Sequence, residues 1–186
     1  MKAEGQHTQD IQGVKDSAGL AFRRALGQFP TGVAVITGLS AEDHRPVGIT
    51  VSSFNSVSLD PPLVLWSLAR SSRHLSSFVV GRPHVIHVLT RGQEALALRF
   101  ASTEIDKFCG IDLESKRLEL ESGTRELPSL LGWTARFSCV TDTVYPGGDH
   151  CIIVARVDSH EVGSGTPLVF VRGRFAGLDS EAGKAE

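Results

Sequence analysis

An antiparallel, mainly β domain closed into a barrel, with a few helices outside it, is the fold class this sequence predicts. Three observations lead there. About seven apolar, β-branched segments recur along the chain. Most of them follow one another through short turns, which suits antiparallel neighbours. Only two or three helical patterns interrupt them, whereas a doubly wound α/β chain alternates strands and helices regularly.

The first helical pattern is "DSAGLAFRRALGQF". Asp16 or Ser17 can cap it, Phe22, Leu26 and Phe29 fall at i, i+4 and i+7, and Pro30 stops it. "GVAVITGL" reads as a buried strand and "AEDHRP" as a polar turn. "VGITVSSFNSVSL" reads as a second strand and "PPLVLWSLA" as a third, begun by its prolines. "SSRHLSSFVVG" reads as a short helix opened by a serine cap and closed by Gly81. "HVIHVL" follows as a strand, with His84 and His87 on opposite faces. "QEALALRFAS" is a helix with Leu96 and Phe100 one turn apart, and residues 103–132 read as a long irregular connection. "WTARFSCVTDTVYP" and "HCIIVARVDSHEV" are consecutive strands joined through "GGD", and "TPLVFVRGRFAGL" is the last strand.

One domain is expected over residues 17–180, between a polar, flexible tail (1–16) and a short C-terminal tail (181–186). The 186 residues are 41% hydrophobic and 22% charged, with a formal net charge of −2 and no basic cluster. That balance argues against nucleic acid or an anionic membrane as the main partner. No apolar run approaches a membrane span, and the N-terminus lacks the apolar stretch of a signal peptide. A cytoplasmic protein is therefore expected, with Cys109, Cys139 and Cys151 as free thiols. The cysteine and histidine spacing fits no zinc pattern, so no metal is expected.

Several common chemistries lack their motifs. There is no P-loop, no complete G-x-G-x-x-G and no G-x-S-x-G nucleophile elbow. "GITVSSFNSVSLDPPLVLWSLARSSRHL" does stand out. It holds Thr50, Ser52, Ser53, Ser56 and Ser58, then Ser67, Ser71 and Ser72, with Arg70 and Arg73 nearby. Singly these are ordinary turn and strand-edge serines. Together with backbone N–H groups they can form a neutral cradle for a phosphate or a polar ring edge, and a helix starting at "SSRHL" would add its positive end.

This segment resembles the short-chain flavin reductases of two-component monooxygenases, which have the FMN-binding split-barrel fold. The resemblance runs from about Leu20 to Leu178 through "ALGQFPTGVAVIT", "LARSS", "EALALRFA", "DKFCGI", "GGDHCIIVARV" and "PLVFVRGRF". It implies an antiparallel Greek-key split barrel with a few flanking helices, assembled as a homodimer with flavin near the subunit interface. It implies reduction of FMN or FAD by NADH or NADPH, and delivery of reduced flavin to a partner flavin-dependent monooxygenase. The alternative is a non-catalytic split-barrel protein that holds flavin or haem.

The resemblance also assigns residues. Thr31 matches a position near the flavin, and Thr50, Val51, Ser52 and Ser53 match a segment whose backbone lines the ring edge. Ser56 matches a position near the phosphate or ribityl chain, and Ala69, Ser71 and Ser72 match a loop that approaches the phosphate. Lys107 would pair with phosphate or with the polar ring edge, and Phe108 would cover the ring. Arg172 would reach phosphate across the interface. His150, in "GDH", matches the nicotinamide site, with Asp149 orienting its imidazole.

Overall fold

The computed structural model of the chain describes residues 19–104, 106–120 and 123–178. The expected tails, and the cap at Asp16 or Ser17, lie outside the described residues. Helix α1 (residues 19–26) leads into β1 (Thr31–Gly32), β2 (Ala34–Leu39), β3 (Pro46–Val51), β4 (Asn55–Leu59) and β5 (Pro62–Ala69). A single 3-10 turn (Leu75–Phe78), β6 (Pro83–Leu89) and α2 (Glu94–Ala101) follow. The chain continues through β7 (Leu113–Leu120), β8 (Gly123–Leu130), β9 (Trp133–Gly147), β10 (His150–Val162), β11 (Leu168–Val171) and β12 (Arg174–Gly177).

Seven strands form one antiparallel sheet in the order β3-β2-β6-β9-β10-β5-β4. Its edge strands, β3 and β4, are adjacent in sequence but do not pair. The barrel is therefore split rather than fully closed. The fold is mainly β, as the sequence implied. Two small sheets, β1-β11-β12 and β7-β8, cover its outside.

Burial follows the two-residue period of a strand. Along β2, Ala34 and Ile36 point into the barrel with Trp66, Phe78, Ile86 and Ile153. Val35, on the opposite face, packs with Leu89, Phe100 and Leu168 beneath α2 and β11. Both faces are covered, which is why "GVAVITGL" is apolar throughout. Strand β6 likewise turns Val85 outward against Leu118 and Leu127 of the β7–β8 hairpin.

Four expectations change. The irregular connection contains the β7–β8 hairpin. The second expected strand divides into β3 and β4, because residues 52–54 break the ladder. The last divides into β11 and β12 around Arg172 and Gly173, both at positive φ. The helix expected at "SSRHLSSFVVG" is only the 3-10 turn. Ser72 Oγ there accepts the His74 backbone N–H at 3.2 Å, and Ser72 N–H bonds back to Ala69 O at 2.9 Å. The chain is committed to a tight turn before a helix can begin. The three cysteines are free, as expected.

Candidate functional site

Strand register assembles the site. His150 opens β10 directly opposite Ala69, the last residue of β5. Arg70 N–H then donates to Asp149 O at 2.9 Å, closing the corner. This pairing sets His150 beside the turn that carries Ser71 and Ser72. The opposite wall comes from β3, through Ile49, Thr50 and Val51, and from the C-terminal end of α2. The result is a cleft of about 530 Å³, the usual size for a small-molecule site.

Among the described residues, no carboxylate lines this cleft. Its charged and titratable groups are Arg73, His74, Lys107 and His150, with hydroxyls from Thr50, Ser67, Ser71, Ser72, Ser102 and Thr103. Lys107 is buried, at 6% exposure. Its ammonium donates to Phe100 O at 2.7 Å and Gly48 O at 3.3 Å, which occupies two of three donors. Phe100 O lies at the C-terminal end of α2, the negative end of the helix. Lys107 thus neutralises an end that would otherwise repel an anion. Burial, and secondarily the Arg73 cation, lower its pKa, while Glu104 opposes them. Arg73 is tethered to Glu104 O and donates to His74 Nε2 at 3.2 Å.

His150 is half exposed, and its Nδ1 lies 2.7 Å from Asp149 Oδ1. With Asp149 accepting the Nδ1 proton, Nε2 is left for the cleft. That hydrogen bond, and then the charge of the imidazole, hold the exposed Asp149 carboxyl below its ordinary range.

Of the residues assigned from sequence, Thr50, Val51, Ala69, Ser71, Ser72, Lys107 and His150 meet in this one cleft. Thr50 Oγ1 is already committed to Ala97 O, at 2.7 Å, so it fastens α2 to β3. Ser53 pins the β3–β4 link to β5, accepting Ser67 N–H at 2.8 Å. Ser52 and Ser56 are exposed outside the cleft within this chain. Thr31 Oγ1 is shielded from solvent, with no hydrogen-bond partner among the described residues. Arg172 is held by Gln28, through Nε to Oε1 at 2.9 Å. Phe108 packs edge-on against Phe100, with centroids 5.0 Å apart, and lines a second cleft instead. Sequence reasoning missed the α2 end, Ser102 and Thr103, as part of the site. No local motif marks it, since β3 packing alone brings it there.

Gly48 is the point where this wall is tightest. A Cβ there would overlap the Phe100 ring and stand 3.1 Å from Phe108 Cζ. Gly48→Ala is expected to cost roughly 2 kcal/mol through overpacking. Urea denaturation checks it, and an unchanged midpoint would contradict the packing described.

A buried ammonium with no ion-pair partner among the described residues, a bank of hydroxyls and an imidazole fit a nucleotide-like anion with a flat ring. A family model, the flavin reductase-like domain, matches residues 26–179. The chain belongs to the flavin reductase-like family. It is 41% identical to the NADH-dependent FMN reductase SmoA of Agrobacterium fabrum, over 83% of either chain. Among solved structures, it resembles a homologue of nitrilotriacetate monooxygenase component B from Mycobacterium thermoresistibile. The TM-score is 0.79 at 32% identity, covering 92% of this flavin reductase-like chain and 93% of the other. It also resembles the NADH:FAD oxidoreductase of Streptomyces globisporus, solved with NAD and FAD fragments. There the TM-score is 0.74 at 33% identity, over 88% and 94% of the two chains.

Proposed function

We propose that the protein is an NADH-dependent flavin reductase that supplies reduced flavin to a separate monooxygenase component, and that the cleft at His150 and Lys107 is its site. The observation that carries this reading is a cleft, free of carboxylates among the described residues, in which one buried cation, the Ser71-Ser72 hydroxyls and His150 converge. Bound FMN or FAD supplies the hydride acceptor and NADH the hydride, so the chain needs no nucleophile of its own. The chain's part is to bind, orient and balance charge.

Lys107 offers its remaining N–H, and a full positive charge, where a phosphate or a developing ring anion needs one. Ser71 and Ser72 add neutral donors, which suit modest affinity for a flavin that must leave. His150 is the residue for the nicotinamide side, and Asp149 is its positioning residue. Thr31 Oγ1, shielded and without a partner among the described residues, has a hydrogen bond to offer a bound ligand.

The working form is a homodimer. Phe22, Leu26 and Phe29 are 65%, 58% and 73% exposed. Apolar exposure of that kind, on α1 and just beyond its end at Phe29, is characteristic of a surface that another molecule covers. The domain spans residues 17–180 between two tails, and the enzyme works in the cytoplasm. Among the described residues, no helix is long and apolar enough to cross a membrane.

The deciding experiment follows the loss of NADH absorbance with purified protein and FMN, FAD or riboflavin added in turn. Turnover that saturates with added flavin supports the reading, and no turnover with any flavin rejects it in favour of a binding protein. His150→Ala is expected to raise KM for NADH about tenfold and to leave KM for flavin within about twofold. Equal changes in both constants would remove His150 from the nicotinamide side.

A further inference from the structure

Lys107 lies in the connection between α2 and β7, outside any helix or strand. A lysine brings its ammonium to one point only if the base of its flexible stem is fixed. The fixing group is its neighbour. Asp106 Oδ1 accepts two backbone N–H groups, from Phe108 and from Cys109, each at 3.1 Å. One carboxylate oxygen thereby closes the turn around Lys107, a local pattern that aspartate and asparagine favour.

The rest of the turn is held from the helix. Arg99, in the last turn of α2, donates to Cys109 O, and Ile111 N–H donates to Phe108 O at 3.0 Å. The Phe108 ring rests edge-on against Phe100. With the turn closed in this way, Asp106 and Cys109 stay exposed while Lys107 alone runs inward, to Phe100 O and Gly48 O.

The Asp106 carboxylate does not line the cleft that Lys107 serves. It lines the second cleft, with Arg45, which pairs with Asp43 at 3.2 Å, and with Arg73. Among the described residues Asp106 makes no ion pair, so its two backbone bonds are its whole contribution. We propose that Asp106 is the positioning residue of Lys107. By closing the turn it fixes where the ammonium meets the anionic part of the flavin, and it touches no flavin itself. The inference rests on the reading of Lys107 as the flavin-binding cation.

Charge and geometry predict opposite signs here. A carboxylate one residue from the cation weakens the binding of an anion, so neutralising it alone would leave flavin affinity unchanged or higher. Loss of the acceptor instead frees the turn, and the ammonium must be ordered again when flavin binds. Asp106→Ala and Asp106→Asn both remove the charge, but only the alanine removes the Oδ1 acceptor. Asp106 is exposed, so neither variant deletes a packed group.

Equilibrium dialysis of the full chain gives Kd for FMN in the wild type, Asp106→Ala, Asp106→Asn, Lys107→Met and the double variant Asp106→Ala/Lys107→Met. Asp106→Ala is expected to raise Kd about tenfold, and Asp106→Asn to stay within about twofold of the wild type. In the Lys107→Met background the alanine should add less than about twofold, because its effect passes through the lysine. Unchanged affinity in Asp106→Ala overturns the positioning role. So does equal weakening by alanine and asparagine, or a tenfold alanine effect that persists without the lysine. Affinity unchanged in Lys107→Met overturns the reading of Lys107, and this inference with it.

Discussion

Between pH 7 and about pH 5 the protein is expected to lose about 2 kcal/mol of folding stability for each of two buried histidines, His84 and His87. Both are held as neutral imidazoles. His87 Nδ1 is 3.1 Å from Val35 O, which can only accept, so Nδ1 carries the proton. Nε2 then accepts the Leu130 backbone N–H at 3.1 Å. His84 repeats the pattern more loosely, with Arg82 O near Nδ1 and the Trp66 Nε1 donor near Nε2, each at 3.4 Å. A second proton would break the bond to Leu130 and set a cation among buried groups near Arg136.

Burial accordingly pushes His84 down to about 4 and His87 to about 3, against a hydrogen bond to a backbone carbonyl in each case. The unfolded chain takes up protons at these positions below about pH 6.5, whereas the folded chain does not until the lower values are reached. Stability is thus complete above that pH and falls as the pH drops toward 4 and then 3. Asp43, Glu119, Asp149 and Glu161 are all held below their ordinary carboxylate values, so their contributions are lost at lower pH still. Urea unfolding followed by tryptophan fluorescence at the two pH values checks this. Identical midpoints would mean that the imidazoles are not held neutral.

These histidines also mark how far the sequence could be read. "HVIHVL" was legible as a strand because both its faces are covered, and the opposite placement of His84 and His87 followed from the two-residue period. Their partners were not legible, since Trp66, Val35 and Leu130 come from three other strands. The β7–β8 hairpin escaped for a different reason. "LESKRLEL" and "GTRELPSL" need few apolar residues, because among the described residues Leu118 and Leu127 are the buried ones that meet Val85 beneath them. Pro128 within β8 further disguises it as a connection.

The candidate site divides in the same way. Ala69, Ser71, Ser72 and His150 were visible as short motifs, and the β5–β10 register brings them together. The expected helix at "SSRHL" was a local reading that the Ser72 turn overrides. The placing of Arg73, His74 and Lys107 on one cleft depends on where α2 ends against β3. No local spacing encodes that.

Lys107→Met is expected to raise the Kd for FMN and FAD about 100-fold, near 2.7 kcal/mol, while leaving the flavin-free protein as stable as before or more so. The two expectations come from the same contacts. A buried ammonium held only by Phe100 O and Gly48 O is expensive to desolvate, and among the described residues no carboxylate lies within ion-pair distance of it. In the flavin-free protein its removal relieves that cost, against the loss of two hydrogen bonds. With an anionic ligand in the cleft, the same removal leaves the ligand's charge facing the carbonyl end of α2. Affinity and stability should therefore part company, which a merely structural lysine would not produce. Equilibrium dialysis and urea denaturation of the same variant decide the matter. A fall in stability with flavin affinity intact would make Lys107 a strut between α2 and β3, and would leave the anion to Arg73 alone.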